Sequence, residues 1–578
     1  MRIKQKLPVT YLLFTIKGRI KRSTYWIAVL FIATTFYVLY HCLESLFGPT
    51  STWLLYPLLY WSVSATSAKR LHDSNLSGKW LLLLLIPKLG PLVLLFLLFF
   101  KKGNKQTNGF GTPQGADVNY LKNDEGQSIP HHKTSQRIIN DVTRLNPVIV
   151  GEVKVPRSIE EVCKLIAQVE GPISVGGGRF SMGGQTASEG SLHLDMRGLN
   201  QVVAFSKEEK FIKVQAGIRW CDIQSFVDPH NLSVKIMQTY ANFTVGGSLS
   251  VNVHGRYMGL GPVILSVRSI DLVLADGSLH HASRSENSKL FFAAIGGYNA
   301  IGIIVQAELD LVDNINVKRT FQKMDHSEYA SWFSDHVRNQ SNAVFHNADL
   351  YPPTFRELRA VTWVETLEKP TVKNRLMPLK EAYPVDRYFI WAFTETPWGK
   401  WRRQHIIDPI VYASKKIHYR NYEAGYDVAE LEPRSRKKST YVLQEYFVPV
   451  DRFDQFCSAM SEIFNRYKVN VINVSVRHAL PDSGSYLAWA REEVFAFVVY
   501  YKQGTSGEEK RAVGVWTREL IDAAIDLGGA YYLPYQVHAT REQFLKAYPR
   551  ALELMNLKKK LDPRFRFRNI LWDTYYQP

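Results

Sequence analysis

Between Ile173 and Leu309 short β-branched runs alternate with glycine clusters, and this pattern restricts the chain more than any other. Ile173-Ser174-Val175 runs straight into Gly176-Gly177-Gly178-Arg179-Phe180-Ser181-Met182-Gly183-Gly184, and Leu192-His193-Leu194-Asp195-Met196 then alternates with period two. A glycine loop after a strand lets backbone N–H groups approach an anion, because no side chain stands in the way. A second cluster, Thr244-Val245-Gly246-Gly247-Ser248, leads to Asn252-Val253-His254-Gly255. Beyond it, Val267–Leu274 and Ser278-Leu279 flank an Asp276-Gly277 turn, which predicts a hairpin. Ser288–Phe292 opens a predicted helix ending at Gly296-Gly297, and Gly302-Ile303-Ile304 begins a further strand.

Two common phosphate loops are excluded. A dinucleotide loop of the GxGxxG kind opens a helix, whereas this loop runs on towards another strand. A P-loop needs Lys and Ser/Thr after its last glycine, and Ile303-Ile304 follow Gly302. Cys42, Cys163, Cys221 and Cys457 form no CxxC pair, which argues against a zinc site or a disulfide framework. His131-His132 has no further ligand at useful spacing, so no metal is expected.

The first hundred residues have a different character. Tyr25–Phe47 is an apolar stretch of spanning length, Thr52–Thr66 is a shorter one, and Trp80–Phe100 is a third, interrupted by Pro87-Lys88-Leu89-Gly90-Pro91. Basic clusters precede the first (Lys4, Lys6, Lys17, Arg19, Lys21, Arg22), follow the second (Lys69, Arg70) and follow the third (Lys101, Lys102, Lys105). Placing all three on the cytoplasmic side requires an even number of crossings, so two full spans plus a hairpin are expected. The expectation is a multi-pass protein of the cell inner membrane, in contact with its lipids and with the large domain cytoplasmic. The net charge of +18 raises nucleic acid as a partner. Much of the excess flanks apolar segments, and no nucleic-acid-binding motif is present, so no nucleic acid is expected.

Two resemblances carry the reading further. Gly18–Trp26, Arg70-Leu71-His72-Asp73 with Ser77-Gly78, and Asn108-Gly109-Phe110-Gly111 resemble a small bacterial inner-membrane domain family of unknown function, over about residues 12 to 112. His72-Asp73 is read there as an interfacial cap. The glycine clusters, the hairpin and the Gly-Gly-x4-Gly-Ile-Ile segment together resemble the FAD-binding domain of the vanillyl-alcohol-oxidase (PCMH-type) superfamily. The nearest look is to decaprenylphosphoryl-ribose oxidase and to lactone and alditol oxidases. The resemblance implies FAD held by Gly176, Gly177, Gly178, Arg179, Phe180, Ser181, Thr244, Val245, Gly246, Gly247, Ser248, Asn252, His254, Gly255, Gly297, Gly302, Ile303, Ile304 and Asn569. The lactone and alditol oxidases carry, where Arg179 stands, a histidine bonded to the flavin. An arginine is not expected to make that bond, so FAD is expected to be non-covalent, with the guanidinium free to pair with a phosphate.

The same resemblance assigns the later regions. Gln444–Pro449 looks like the opening strand of a substrate sheet, followed by an amphipathic helix with Phe453, Phe456, Cys457, Met460, Ile463 and Phe464 on one face. Alternation puts Asn473, Ser475 and Arg477 on one face. Arg477 matches an active-site arginine of the relatives, Ser475 stands where they carry an acid, and Gly528–Tyr535 resembles the strand that carries their active-site lysine, with Tyr535 in the lysine's place. His254 is either near the flavin and substrate or a structural loop residue. Arg477, Tyr535 and His254 are thus the candidate catalytic residues. Leu561–Asn569 looks like a closing segment that returns to the flavin domain.

The expected fold is α+β. A helical membrane domain (1–112) and a linker (113–140) precede a two-subdomain flavin domain (141–312), a substrate domain (313–530) and a C-terminal segment (531–578). The expected activity is hydride transfer from an alcohol C–OH of a small sugar, lactone or lipid-linked sugar to FAD, with a further electron acceptor. A flavin-dependent C=C reductase resembling sterol Δ24-reductase and a non-catalytic flavin-fold module stay open as alternatives.

Overall fold

The computed structural model describes residues 13–16, 18–47, 49–85, 89–103, 108, 110, 137–378, 392, 395–396, 398–427 and 436–576. Lys4, Lys6, Lys17, Pro87-Lys88, Lys105, Gly109, Gly111 and nearly all of the 113–140 linker, with its two histidines, lie outside the described residues. The chain divides into two compact units, Met1–His132 and Lys133–Pro578.

In the first unit the leading apolar stretch forms the helix Arg22–Phe47, and Arg22–Ser45 is long and apolar enough to cross a membrane. It is the only such helix among the described residues. The second stretch extends further than its apolar part, as Leu55–Asp73, and its last turns bury Lys69, Arg70 and Asp73. The third is broken, into a 3-10 segment Gly78–Leu85 and the helical pieces Leu89–Leu95 and Phe96–Phe100. The three motifs of the resemblance converge. Arg19 pairs with Asp73 at 3.1 Å, Arg70 pairs with the other oxygen at 3.2 Å, and His72 Nδ1 donates to the Gly18 carbonyl while the ring stacks on Phe110. The His72-Asp73 pair therefore clamps elements together.

In the second unit a three-stranded parallel sheet has Leu192–Asp195 at its centre, between Glu152–Lys154 and Ile173–Gly176. The central strand is buried along its whole length, so its period-two alternation does not separate an exposed face from a buried one. Helix Ile159–Gln168 covers this sheet; Ser158 caps it by accepting from Glu161 N–H, and Val162 and Ile166 form its buried stripe. A larger antiparallel sheet follows in the order Leu279–Ser283, Val267–Leu274, Gly302–Asp313, Phe211–Gln215, Val202–Ser206, with Leu232–Val234 also paired to Gly302–Asp313. The Asp276-Gly277 hairpin forms in the expected place, with Gly277 at φ +84°.

An eight-stranded antiparallel sheet completes the unit. Its order is Ile417–Tyr419, Asn316–Asp325, Glu357–Glu365, Ala343–Leu350, Asn470–Ala479, Val494–Gly504, Ser439–Pro449, Ala530–Tyr531. Helix Phe453–Arg466 packs with all six predicted apolar residues buried, and Gly507–Asp526 opens with a Ser506/Glu509 capping box. Mixed helices and sheets of this kind make the chain α+β. Near the chain's end Phe567 lies parallel to Ile173, and the Arg566 carbonyl accepts from Ile173 N–H at 2.6 Å.

Candidate functional site

A cavity of about 430 Å³ lies where the glycine segments meet one face of the eight-stranded sheet. This is within the range of small-ligand sites. One wall is the loop after Ile173–Gly176. A Cβ at Gly177 would overlap the Thr244 hydroxyl, and one at Gly246 would sit 2.7 Å from the Ala216 Cβ, so Thr244 and Ala216 knit the two glycine segments together. Among the described residues, the backbone N–H groups of Gly177, Gly178, Phe180 and Ser181 are committed to no other acceptor. A glycine cradle with open N–H donors suits a pyrophosphate, so these residues fit the dinucleotide.

Gly176, Gly177, Gly178, Arg179, Phe180, Ser181, Thr244, Gly246, Gly247, Ser248, His254, Ile303, Ile304, Arg477 and Tyr535 all line the cavity. The structure does not bring Val245, Asn252, Gly255, Gly297, Gly302 or Asn569 into its wall. Val245 is packed in the core, and Asn252 donates to Asp482 at 2.9 Å and accepts from Ile264 N–H. Side chains at Gly255, Gly297 or Gly302 would collide with backbone carbonyls, so these glycines serve packing. Asn569 caps the last helix and donates to the Tyr298 carbonyl at 2.9 Å. Neighbours of these positions, Tyr298 and Asn299, reach the cavity instead.

Arg179 adopts a left-handed backbone, φ +60°. Its guanidinium lies 3.4 Å from Asp195, which also accepts from Arg197 Nε at 2.7 Å. Among the described residues Arg179 thus meets an anion of the chain itself. Burial alone would raise the Asp195 carboxyl; the hydrogen bond and charge of Arg197, with the charge of Arg179, outweigh it and hold the pKa below the usual value. Beneath the loop, burial and then the Arg179 charge push His193 down to about 3.

The other wall is built by register. Glu445 pairs with Val498, which pairs with Ser475, so the three form one row across adjacent strands. Ser475 leaves its place without an acid, and Glu445, two strands away in the same row, supplies one. Glu445 is a cavity residue that the sequence reading did not single out. Its signal was a carboxylate followed by the apolar end of its strand, Tyr446–Pro449, where a charge is rarely buried without a partner. One Glu445 oxygen lies 2.5 Å from His254 Nε2, and the other accepts from the Tyr535 hydroxyl at 3.3 Å. The Gly255 carbonyl lies 3.2 Å from His254 Nδ1. His254 is therefore both a cavity residue and a held one.

Arg477 lies on the Asn470–Ala479 strand as expected, and its Nε has no hydrogen-bond partner among the described residues. Burial pushes its guanidinium pKa down, opposed by the Glu445 charge. Tyr535 is not on a strand: the last strand ends at Tyr531, and Tyr535 sits in the turn after it. Burial, and then the Glu445 charge, hold its phenol well above the ordinary value, so it is a neutral O–H. The cavity thus joins a glycine cradle to a carboxylate with two protic partners and an adjacent buried cation.

Residues 150–283 match the family described as FAD binding domain. The protein is a flavoprotein. Residues 13–112 of this flavoprotein match a second family, described as a protein of unknown function (DUF805). The chain is 21% identical to L-gulonolactone oxidase of Mus musculus over 428 residues, 73% of this chain and 92% of that one. It is 23% identical to decaprenylphosphoryl-beta-D-ribose oxidase of Mycolicibacterium smegmatis over 410 residues, 68% of this chain and 86% of that one. Similarity to cytokinin dehydrogenase 2 of Arabidopsis thaliana, 26% over 205 residues, spans 34% of this chain and 40% of the relative.

Proposed function

We propose that this flavoprotein is a membrane-anchored oxidoreductase that oxidises an alcohol C–OH of a sugar, lactone or lipid-linked sugar. The observation that carries this reading is Glu445, held between His254 and Tyr535 and beside Arg477 in the cavity that the glycine cradle enters. FAD, when bound non-covalently by the cradle, supplies the two-electron acceptor for the hydride. The chain's own groups manage the proton and the charge. Glu445 accepts the substrate hydroxyl proton, and His254 keeps the carboxylate oriented. The Tyr535 O–H and the Arg477 guanidinium stabilise negative charge that develops on the substrate oxygen. The likeness to L-gulonolactone oxidase and decaprenylphosphoryl-beta-D-ribose oxidase over most of their lengths supports a sugar-derived alcohol. The flavin domain is assigned to residues 141–312 and the substrate domain to 313–530.

The test is anaerobic mixing of the purified holoprotein with a panel of aldonolactones, alditols and polyprenyl-phosphate sugars, followed by flavin absorbance. Bleaching by one class, and turnover of it with an artificial electron acceptor, is the expected result. No bleaching by any alcohol, with bleaching by NADPH, would overturn the reading. The apolar helix Arg22–Phe47 and the DUF805 match support a membrane location. The basic clusters support a multi-pass inner-membrane topology with both ends of the chain on the cytoplasmic side. An active periplasmic reporter at the C-terminus would contradict that topology.

A further inference from the structure

Residues 399–413 form a continuous helical run that is amphipathic the wrong way round for a water-soluble protein. Gly399–Arg402 is α-helical, Arg403–Ile407 is a π turn, and Asp408–Ala413 is α-helical again. Pro409 has no N–H to donate back along the helix, which accounts for the widened turn before it. Apart from Tyr412, which packs against the core and under the Arg359 guanidinium, the groups that bond inward are polar. Arg403 donates to the Ile472 carbonyl at 2.9 Å and to Asn473 at 3.0 Å, Gln404 donates to Glu357 at 2.7 Å, and Asp408 accepts from the Tyr351 hydroxyl at 2.7 Å. The outward groups are apolar. Trp401 is 50% exposed, Ile406 46%, Ile410 70% and Val411 49%, and Trp398 just before the run is 76% exposed.

Large apolar side chains grouped on one exposed helical face mark a surface that something covers. Charge indicates what. Lys400, Arg402, Lys415, Lys416 and Arg319, which donates to the Val411 and Ser414 carbonyls, border the stripe; of the acids nearby, Asp408 is turned inward, Glu357 accepts from Gln404 and Glu368 pairs with Lys415. A basic-rimmed helix with Trp and Ile outward matches the interfacial helices that lie in the headgroup region of a bilayer. A protein partner would be expected to bring acidic groups, whereas a bilayer surface meets both the basic rim and the indole rings at one water–apolar boundary. The geometry points to the 398–413 segment as a membrane-seating helix whose partner is an anionic lipid surface. Through Arg403, which lines the cavity, the same helix reaches the site directly. This assignment does not depend on the substrate.

The test uses the full FAD-loaded chain in vesicles of phosphatidylcholine with phosphatidylglycerol. Cys42 and Cys163 are replaced by serine, the buried Cys221 and Cys457 are kept, and Ile410→Cys carries an environment-sensitive fluorophore. Leu552→Cys, 52% exposed on helix Ala551–Leu561, is the control. Both variants must keep the parent's flavin absorbance per mole, which reports folding. A helix buried about 5–10 Å into the interface should lose roughly half or more of its label emission to a headgroup-level lipid quencher, with the control unchanged. Replacing phosphatidylglycerol by phosphatidylcholine should weaken that quenching, since each basic group near an anionic surface favours contact about 5-fold. Equal quenching at the two sites, or a label at 410 shielded from water but untouched by the lipid quencher, would overturn the proposal. The latter result would mean that protein covers the stripe.

Discussion

Glu445→Gln isolates proton acceptance from shape. The amide keeps the volume and still offers one oxygen acceptor, so the His254 contact at 2.5 Å or the Tyr535 contact at 3.3 Å can persist. The charge and the proton-accepting capacity are lost. Removing a positioned general base typically costs about 10²–10⁴-fold in rate, which corresponds to about 2.7–5.5 kcal/mol of transition-state stabilisation. The upper half of that range is expected here. Glu445 is 4% exposed, so water is poorly placed to replace it, and neither His254 nor Tyr535 has a second carboxylate at hand. The assay is stopped-flow flavin reduction on the substrate that bleaches the holoprotein, with FAD occupancy read from absorbance. Occupancy should be unchanged and the reduction rate should fall by at least about 10³-fold. A fall smaller than about 10-fold with full occupancy would refute the assignment of Glu445 as base, because no merely oriented bystander accounts for the larger loss.

Arg477→Ala should leave FAD bound and lower the reduction rate by about 10²–10³-fold, whereas Tyr535→Phe, whose bond to Glu445 is long, should cost less; equal, negligible effects in the same assay would misplace the site. Acid precipitation of the holoprotein should leave the yellow colour in the supernatant, since Arg179 is not expected to bond to the flavin; colour in the pellet contradicts this. The buried His193, neutral in the folded state with a pKa of about 3 against 6.5 when free, makes stability fall as pH drops from about 6.5 towards 3, because the unfolded chain takes up the proton first. The contribution lost by pH 5 is about 2 kcal/mol, so the thermal midpoint should fall between pH 7 and pH 5 and His193→Gln should show a shallower dependence, whatever its absolute midpoint.

Features set by neighbouring residues were legible in the sequence. The Asp276-Gly277 hairpin, the loop from Gly176 and the apolar face of Phe453–Arg466 are each specified within one turn or one helical period, and each stands where expected. Glycines were legible as glycines but not by purpose: Gly246 lines the cavity, while Gly297 is small because the Ala293 carbonyl leaves no room. Glu445 was out of reach because its place opposite Ser475 depends on a shared neighbour, Val498, and no local pattern encodes the register of three separate strands. Tyr535 illustrates the converse. Its approach to the cavity was anticipated, yet the strand expected to carry it ends four residues earlier, and a turn delivers it. The first unit showed its leading helix plainly, whereas the ion pairs from Arg19 and Arg70 to Asp73 needed three dimensions.

The strand that launches the glycine loop is finished by residues almost four hundred positions later. Ile173 donates to the Arg566 carbonyl and accepts from Arg568 N–H, while Asn569 and Trp572 both donate to the Tyr298 carbonyl beside the cavity. During synthesis these partners leave the ribosome last, so the cradle spends most of translation without one edge of its support. The loop cannot settle into a dinucleotide-competent shape until residues 566–572 arrive, and nascent chains stalled before that point should emerge colourless. Flavin capture thereby becomes a report that the whole of the second unit has been made.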